Sequence, residues 1–149
     1  MPEIMKLLVY KETRARLPIS RIRKLFDLVV RREGKAADTG QINFIICSDA
    51  RIRNLNRRFR GIDRATDVLS FNLDPAGGAD QVWGEVYIAA PYARRQARRS
   101  GHGLYDEYLL LFCHGLLHLL GYDHDTAKRE RAMFDFQTYY LNKLRRKGR

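Results

Sequence analysis

The stretch HGLLHLLGYDH, residues 114–124, holds three of the chain's four histidines, and the rest of the sequence is read outward from it. It closes the run from Tyr105 to Leu120, which is apolar nearly all round, the pattern of a central helix buried on most sides. His114 and His118 are four residues apart. On a helix they lie roughly 40° apart, one turn above the other, so both imidazoles can reach one ion. Gly121 ends the helix where a left-handed backbone is wanted. His124 can then swing back and offer a third nitrogen at roughly 2.0–2.1 Å from the same ion. Two imidazoles buried in so apolar a surface without partners would cost several kcal/mol, and a shared metal is the simplest partner. His102, alone in a glycine-rich loop, is read as an ordinary satisfied side chain.

Three neutral imidazoles leave a fourth position open for water, the arrangement of catalytic zinc sites rather than closed structural ones. The expected cofactor is one zinc ion per chain, although such a site also accepts nickel, cobalt or copper. The spacing equals that of the metzincin motif, with Gly115 where that motif has glutamate. In zinc peptidases the glutamate takes a proton during amide cleavage, so its absence makes a metallopeptidase the minor alternative. A residue without a side chain at 115 lets either a neighbouring strand or a substrate come close. Asp123 and Asp125 flank His124 and read as caps for the following helix, with orientation of an imidazole or shuttling of a proton as the other uses.

At 149 residues and 45% hydrophobic content, the chain is expected to form one domain, residues 1–149, around one core. Residues 5–10 make a short strand. Residues 18–32 carry Ile19, Ile22, Leu25, Phe26 and Val29 at helical spacing, stopped by Gly34. QINFIICS, residues 41–48, is apolar on both alternating faces, as an interior strand covered by helices must be. Asp49 is placed to cap a helix through Phe59. Residues 61–67 read as a loop, 66–72 and 81–90 as strands, and 74–80 as an exposed, flexible turn. Pro91, at a first helical position, opens a basic helix through Arg99, which Gly101 and Gly103 break. A last helix begins near Thr126, packs through Met133, Phe136, Tyr140 and Leu144, and leaves RRKGR as a disordered basic end. Cys47 and Cys113 sit in apolar runs and read as core residues with free thiols.

Lys plus Arg number 28 against 17 Asp plus Glu, a formal charge of +11 that favours polyanionic partners. Charge alone does not separate nucleic acid from an anionic membrane surface. The N-terminal apolar run is short and holds Lys6, so no signal peptide is read and the expected location is the cytoplasm. The longest charge-free stretch, Tyr108 to Tyr122, is 15 residues, short of the roughly 20 that a membrane helix needs. Arginine is dense at 51–64 and again at 94–99, and contact with RNA is expected there, the alternative being solvated helix faces. Tyr92, Tyr139 and Tyr140 read as core or rim rather than as a stacking platform.

HGLLHLLGYDHD at 114–125 resembles the signature of a family, the bacterial YbeY endoribonucleases of rRNA maturation. RGIDRATDVLSF at 60–71 is similar to that family's second block, and GEVYIA at 84–89 to a weaker third. The first third of the chain matches only in length and pattern. Ala65 and Asn72 stand where the family often has proline, and neither touches the expected chemistry. The resemblance implies a zincin-like α+β fold: a small mixed β-sheet packed with a central apolar helix carrying His114 and His118. It also implies a metal held by His114, His118 and His124, and single-strand-specific RNA cleavage linked to the 3′ end of small-subunit rRNA. Arg60 matches the family's functional arginine. A guanidinium suits a phosphate oxygen and charge developing in a transition state, while the plainer reading is an ion pair with Asp63 or Asp67. The expected partners are RNA, the ribosome or small-subunit assembly factors, with no membrane; oligomeric state is not read. The rival from another class is a non-catalytic rRNA-binding assembly factor with a structural metal.

Overall fold

The computed structural model describes residues 5–34, 40–73 and 82–147. In chain order its elements are β1 (Lys6–Lys11), α1 (Ile19–Glu33), β2 (Gln41–Cys47), α2 (Asp49–Arg60) and β3 (Val68–Asn72). These are followed by β4 (Val82–Ala89), α3 (Ala90–Ser100), α4 (Leu104–Leu119) and α5 (Ala127–Lys147). The strands form one sheet in the order β1-β2-β4-β3. β2 pairs in parallel with both β1 and β4, and β3 runs antiparallel to β4. The architecture is therefore α+β on a mixed sheet, with β3 at one edge.

The period of two in the sequence decides which side chains meet which helices. Ile42, Phe44 and Ile46 of β2 and Val86 and Ile88 of β4 enter the larger core, with α1, α4 and α5. Ile45 and Cys47 of β2 and Tyr87 and Ala89 of β4 point to the other face, where Ile52 and Leu55 of α2 cover them. An interior strand carries apolar residues on both faces for that reason, and Asn43, the buried polar residue of β2, donates to Glu85. The thiols of Cys47 and Cys113 are both free and fully buried. Burial pushes each of them up to about 12, out of the range of a reactive thiolate.

α4 is the centre of the larger core: Tyr108, Phe112, Leu116 and Leu117 are wholly buried, and Phe112 meets Phe44 edge-on at 4.7 Å. Gly115 explains how closely it sits. A Cβ there would lie 2.7 Å from Val86 Cγ1 and 3.5 Å from Val68 Cγ2, so it is the sheet that comes close at this position.

Two details differ from the sequence reading. The cap of α2 is Ser48, whose hydroxyl accepts from Arg51 N at 3.1 Å, because the helix already begins at Asp49. Asp49 instead accepts from Tyr92 N at 3.1 Å and pairs with Arg95 at 2.7 Å, anchoring the first turn of α3. The final helix runs to Lys147, so Arg145 and Arg146 continue α5 rather than a disordered tail. The turn expected at 74–80 lies outside the described residues. Among the described residues, no helix is long and apolar enough to cross a membrane.

The Gly115–Val86 contact makes a clean test of packing. Gly115→Ala is expected to destabilise the fold by about 1–3 kcal/mol, since Val86 is a short, buried side chain with little room to yield. Urea unfolding measures this, and Val86→Ala in the same chain should recover part of the loss.

Candidate metal centre

The end of α4 builds the site. Tyr122 N donates to Leu117 O at 3.0 Å and Gly121 N to His118 O at 3.1 Å, the paired bonds of a Schellman turn. Gly121 holds φ at 104°, a left-handed value that a side chain would oppose, and the chain doubles back. His124 thereby comes to lie beside the helix it follows. Its ring centre is 5.6 Å from that of His114 and 6.2 Å from that of His118. The three histidines expected from their spacing to meet all line one cleft.

Ligand atoms of His118, Asp123 and His124 all lie within 4.8 Å of one another, a set that takes in Asp123 and leaves out His114. Asp123 was read from sequence as a helix cap. The cap of α5 is Thr126, whose hydroxyl accepts from Arg129 N at 3.1 Å, while Asp125 pairs with Arg129. Asp123 accepts from His124 N at 2.7 Å and keeps its carboxylate among the imidazoles. His118 is held below the usual histidine range, first by burial and then by His114, His124 and Arg60, against the pull of Asp123. Its Nδ1 is buried with no hydrogen-bond partner among the described residues. A buried ring nitrogen without a partner, beside two more imidazoles and a carboxylate, is the donor set that suits a zinc-like ion.

Arg60, at the end of α2, faces the same cleft of about 520 Å³. Neither expected ion pair forms. Asp63 is taken by Arg53 at 2.9 Å, and Asp67 accepts from Gln96 at 3.0 Å and from Val68 N at 2.8 Å. Arg60 instead donates to the backbone carbonyl of Ser70 at 3.0 Å and lies over the Phe71 ring. Arg64 joins it on the lining, which includes no carboxylate among the described residues. The loop between α2 and β3 is pinned by buried Asn56, whose amide donates to Arg64 O at 3.0 Å. His102 belongs elsewhere: its Nε2 lies 3.1 Å from the buried carboxylate of Glu107.

Fold and cleft together define a class, a small α+β chain whose buried helix presents imidazoles to a basic, carboxylate-poor cleft. A family model described as Endoribonuclease YbeY matches residues 9–145. A protein of that name from Moorella thermoacetica is 41% identical over 118 residues, 73% of this chain and 75% of the relative. Another from Bacillus licheniformis is 39% identical over 134 residues, 84% of each. The solution structure of a Thermotoga maritima protein matches with a TM-score of 0.66 at 31% identity, covering 93% of this chain and 88% of that one. The chain belongs to the YbeY endoribonuclease family, and it is an enzyme of the nuclease class.

Sequence reasoning missed the groups that hold the site from behind. Gln137 of α5, nearly buried, sits with its Oε1 2.8 Å from His114 Nδ1. The ring donates there, which leaves Nε2 with the lone pair that a metal needs. Glu33, the last residue of α1, accepts from the hydroxyls of Tyr122 and Tyr140, the latter at 2.7 Å. Burial, then the bond to Glu33, pushes Tyr122 up to about 12. The carboxylate thus ties the 121–124 turn to α1 and α5. Its signal is absent from any local window, since the partners lie 89 and 107 residues away.

Glu33→Ala is expected to lower stability by about 1–3 kcal/mol, because it strands the fully buried Tyr140 hydroxyl. Amide exchange should locate a further loosening at residues 121–124. Protection lost evenly over the chain, with nothing extra at that turn, would refute the tie.

Proposed function

We propose that this chain is a zincin-like domain spanning residues 1–149 that cleaves single-stranded RNA in rRNA maturation, at the 3′ end of small-subunit rRNA, in the cytoplasm. One zinc ion would be held by His114, His118 and His124, with Asp123 beside them, and nickel or another divalent transition metal fits the same donors. When bound, such an ion supplies Lewis-acid polarisation of a phosphodiester. Gln137 fixes the tautomer of His114, and the turn at Gly121 fixes where His124 stands.

One observation carries the reading: Arg60 enters the histidine cleft with no carboxylate partner among the described residues. A permanent cation without a counter-charge at that place is matched to a phosphate, and its remaining donors can meet charge as it develops on the phosphate oxygens. Arg60 is the catalytic residue of the proposal. The peptidase alternative loses further support at Gly115, where any side chain would begin against Val86.

The test is cleavage of single-stranded RNA by metal-loaded wild type, His114→Ala and Arg60→Ala, with metal content assayed in each. The expected pattern is that His114→Ala loses metal and activity together. Arg60→Ala should retain metal and lose roughly 10²–10³-fold in kcat. End-group analysis of the products then tells attack by water from attack by the RNA's own 2′-hydroxyl. Folded, metal-loaded wild type that binds RNA and never cuts it would give the chain to the assembly-factor class. Cleavage of a mixed peptide library would revive the peptidase.

A further inference from the structure

We propose that the exposed face of α3 is the track by which a single-stranded RNA leaves the histidine cleft, its phosphates held by Arg98 and Arg99. The proposal rests on the RNA reading above and adds a path and a direction to it.

The path begins at Tyr92, which lines both the histidine cleft and a second hollow formed with Arg95, Arg98 and Arg99. The two depressions therefore adjoin each other, with the Tyr92 side chain common to both. α3 starts at the cleft and runs away from it. Its buried residues Ala90, Ala93 and Ala97 fix one face inward, which leaves Arg94, Arg95, Arg98 and Arg99 on the outer face. Arg94 and Arg98 stand one turn apart, about 6 Å, and so do Arg95 and Arg99. A ladder of cations at that repeat suits an extended polyanion better than a single small anion.

Which of these cations is available follows from their partners. Arg95 is committed: it pairs with Asp49 at 2.7 Å and lies over the Tyr92 ring, bracing that ring in place. Arg94, Arg98 and Arg99 make no ion pair with any described residue. On α2, Arg51 pairs with Glu12 and Arg53 with Asp63, while Arg57 and Arg58, which make no ion pair with a described residue, line neither the histidine cleft nor the hollow on α3. Other hollows of the surface also mix their charges, Asp27 beside Lys24 and Arg31 in one, Glu130 and Asp135 beside Arg131 in another. The hollow on α3 has no carboxylate among its described lining residues.

The decisive experiment compares cleavage of a single strand of about 20 nucleotides with one of about four, which only the cleft can hold. Arg98→Glu/Arg99→Glu is expected to raise KM on the longer strand roughly tenfold, with kcat within about twofold and the shorter strand little affected. The slope of log affinity against log salt for the longer strand should fall by about 1.4, two single-strand phosphate contacts. Arg21→Glu/Lys24→Glu on α1 changes net charge by the same amount and controls for it. Equal losses on long and short RNA, or an equal loss in the α1 variant, would overturn the track. If wild type cuts neither RNA, the cleavage reading fails separately, and the same length dependence read by fluorescence anisotropy decides the track.

Discussion

How deeply α4 can sit against the sheet is set by the missing side chain at Gly115, where the methyls of Val86 occupy the space a Cβ would need. Everything in the cleft is measured from that contact. It brings His114 and His118 down beside β3, whose Val68, Leu69 and Ser70 form the opposite wall, and within reach of Arg60 at the end of α2. A helix standing off by even one methyl group would move the imidazoles away from the arginine and open the core above Phe44. The same glycine that removes a peptidase's base from the helix thus seats the helix for a different chemistry.

Around that seat, the polar groups divide by what they face. Those behind the histidines are hydrogen-bonded within the protein: Gln137 to His114, and Glu33 to Tyr122 and Tyr140. Those in front are left with charge to spare, Arg60 and Arg64 on the cleft and Arg98 and Arg99 along α3. Buried polar atoms must be partnered while exposed cations need not be, so this asymmetry separates what holds the site from what meets a ligand. The buried Nδ1 of His118 stands between the two groups, with no protein partner among the described residues.

The sequence made legible whatever has a short period or a special backbone. β2 was readable because its two faces enter two cores, α4 because it is apolar all round, and the turn at Gly121 because a left-handed residue was needed there. The meeting of His114, His118 and His124 followed from those two facts alone. The illegible part consists of partners brought together from far along the chain. Nothing near His114 announces Gln137, and nothing near Tyr122 announces Glu33. Asp123 was misread because an acid before a helix is usually its cap, a role that Thr126 fills here. Asp49 differs for a similar reason, since serine and aspartate both cap helices and only the position of the first turn makes Ser48 the cap.

The bond from Arg60 to the carbonyl of Ser70 has a second effect, on what the edge of the sheet can do. β3 is an outermost strand, and an outermost strand offers unpaired backbone groups to any extended polypeptide that can lie alongside it. Here one of those acceptors is already engaged by a guanidinium, and the long arginine side chain lies over the neighbouring Phe71 ring. A peptide adding to β3 would have to displace that arginine and bring its own backbone against a positive charge. The residue proposed to meet phosphate therefore also guards the sheet against self-association and against extended polypeptides.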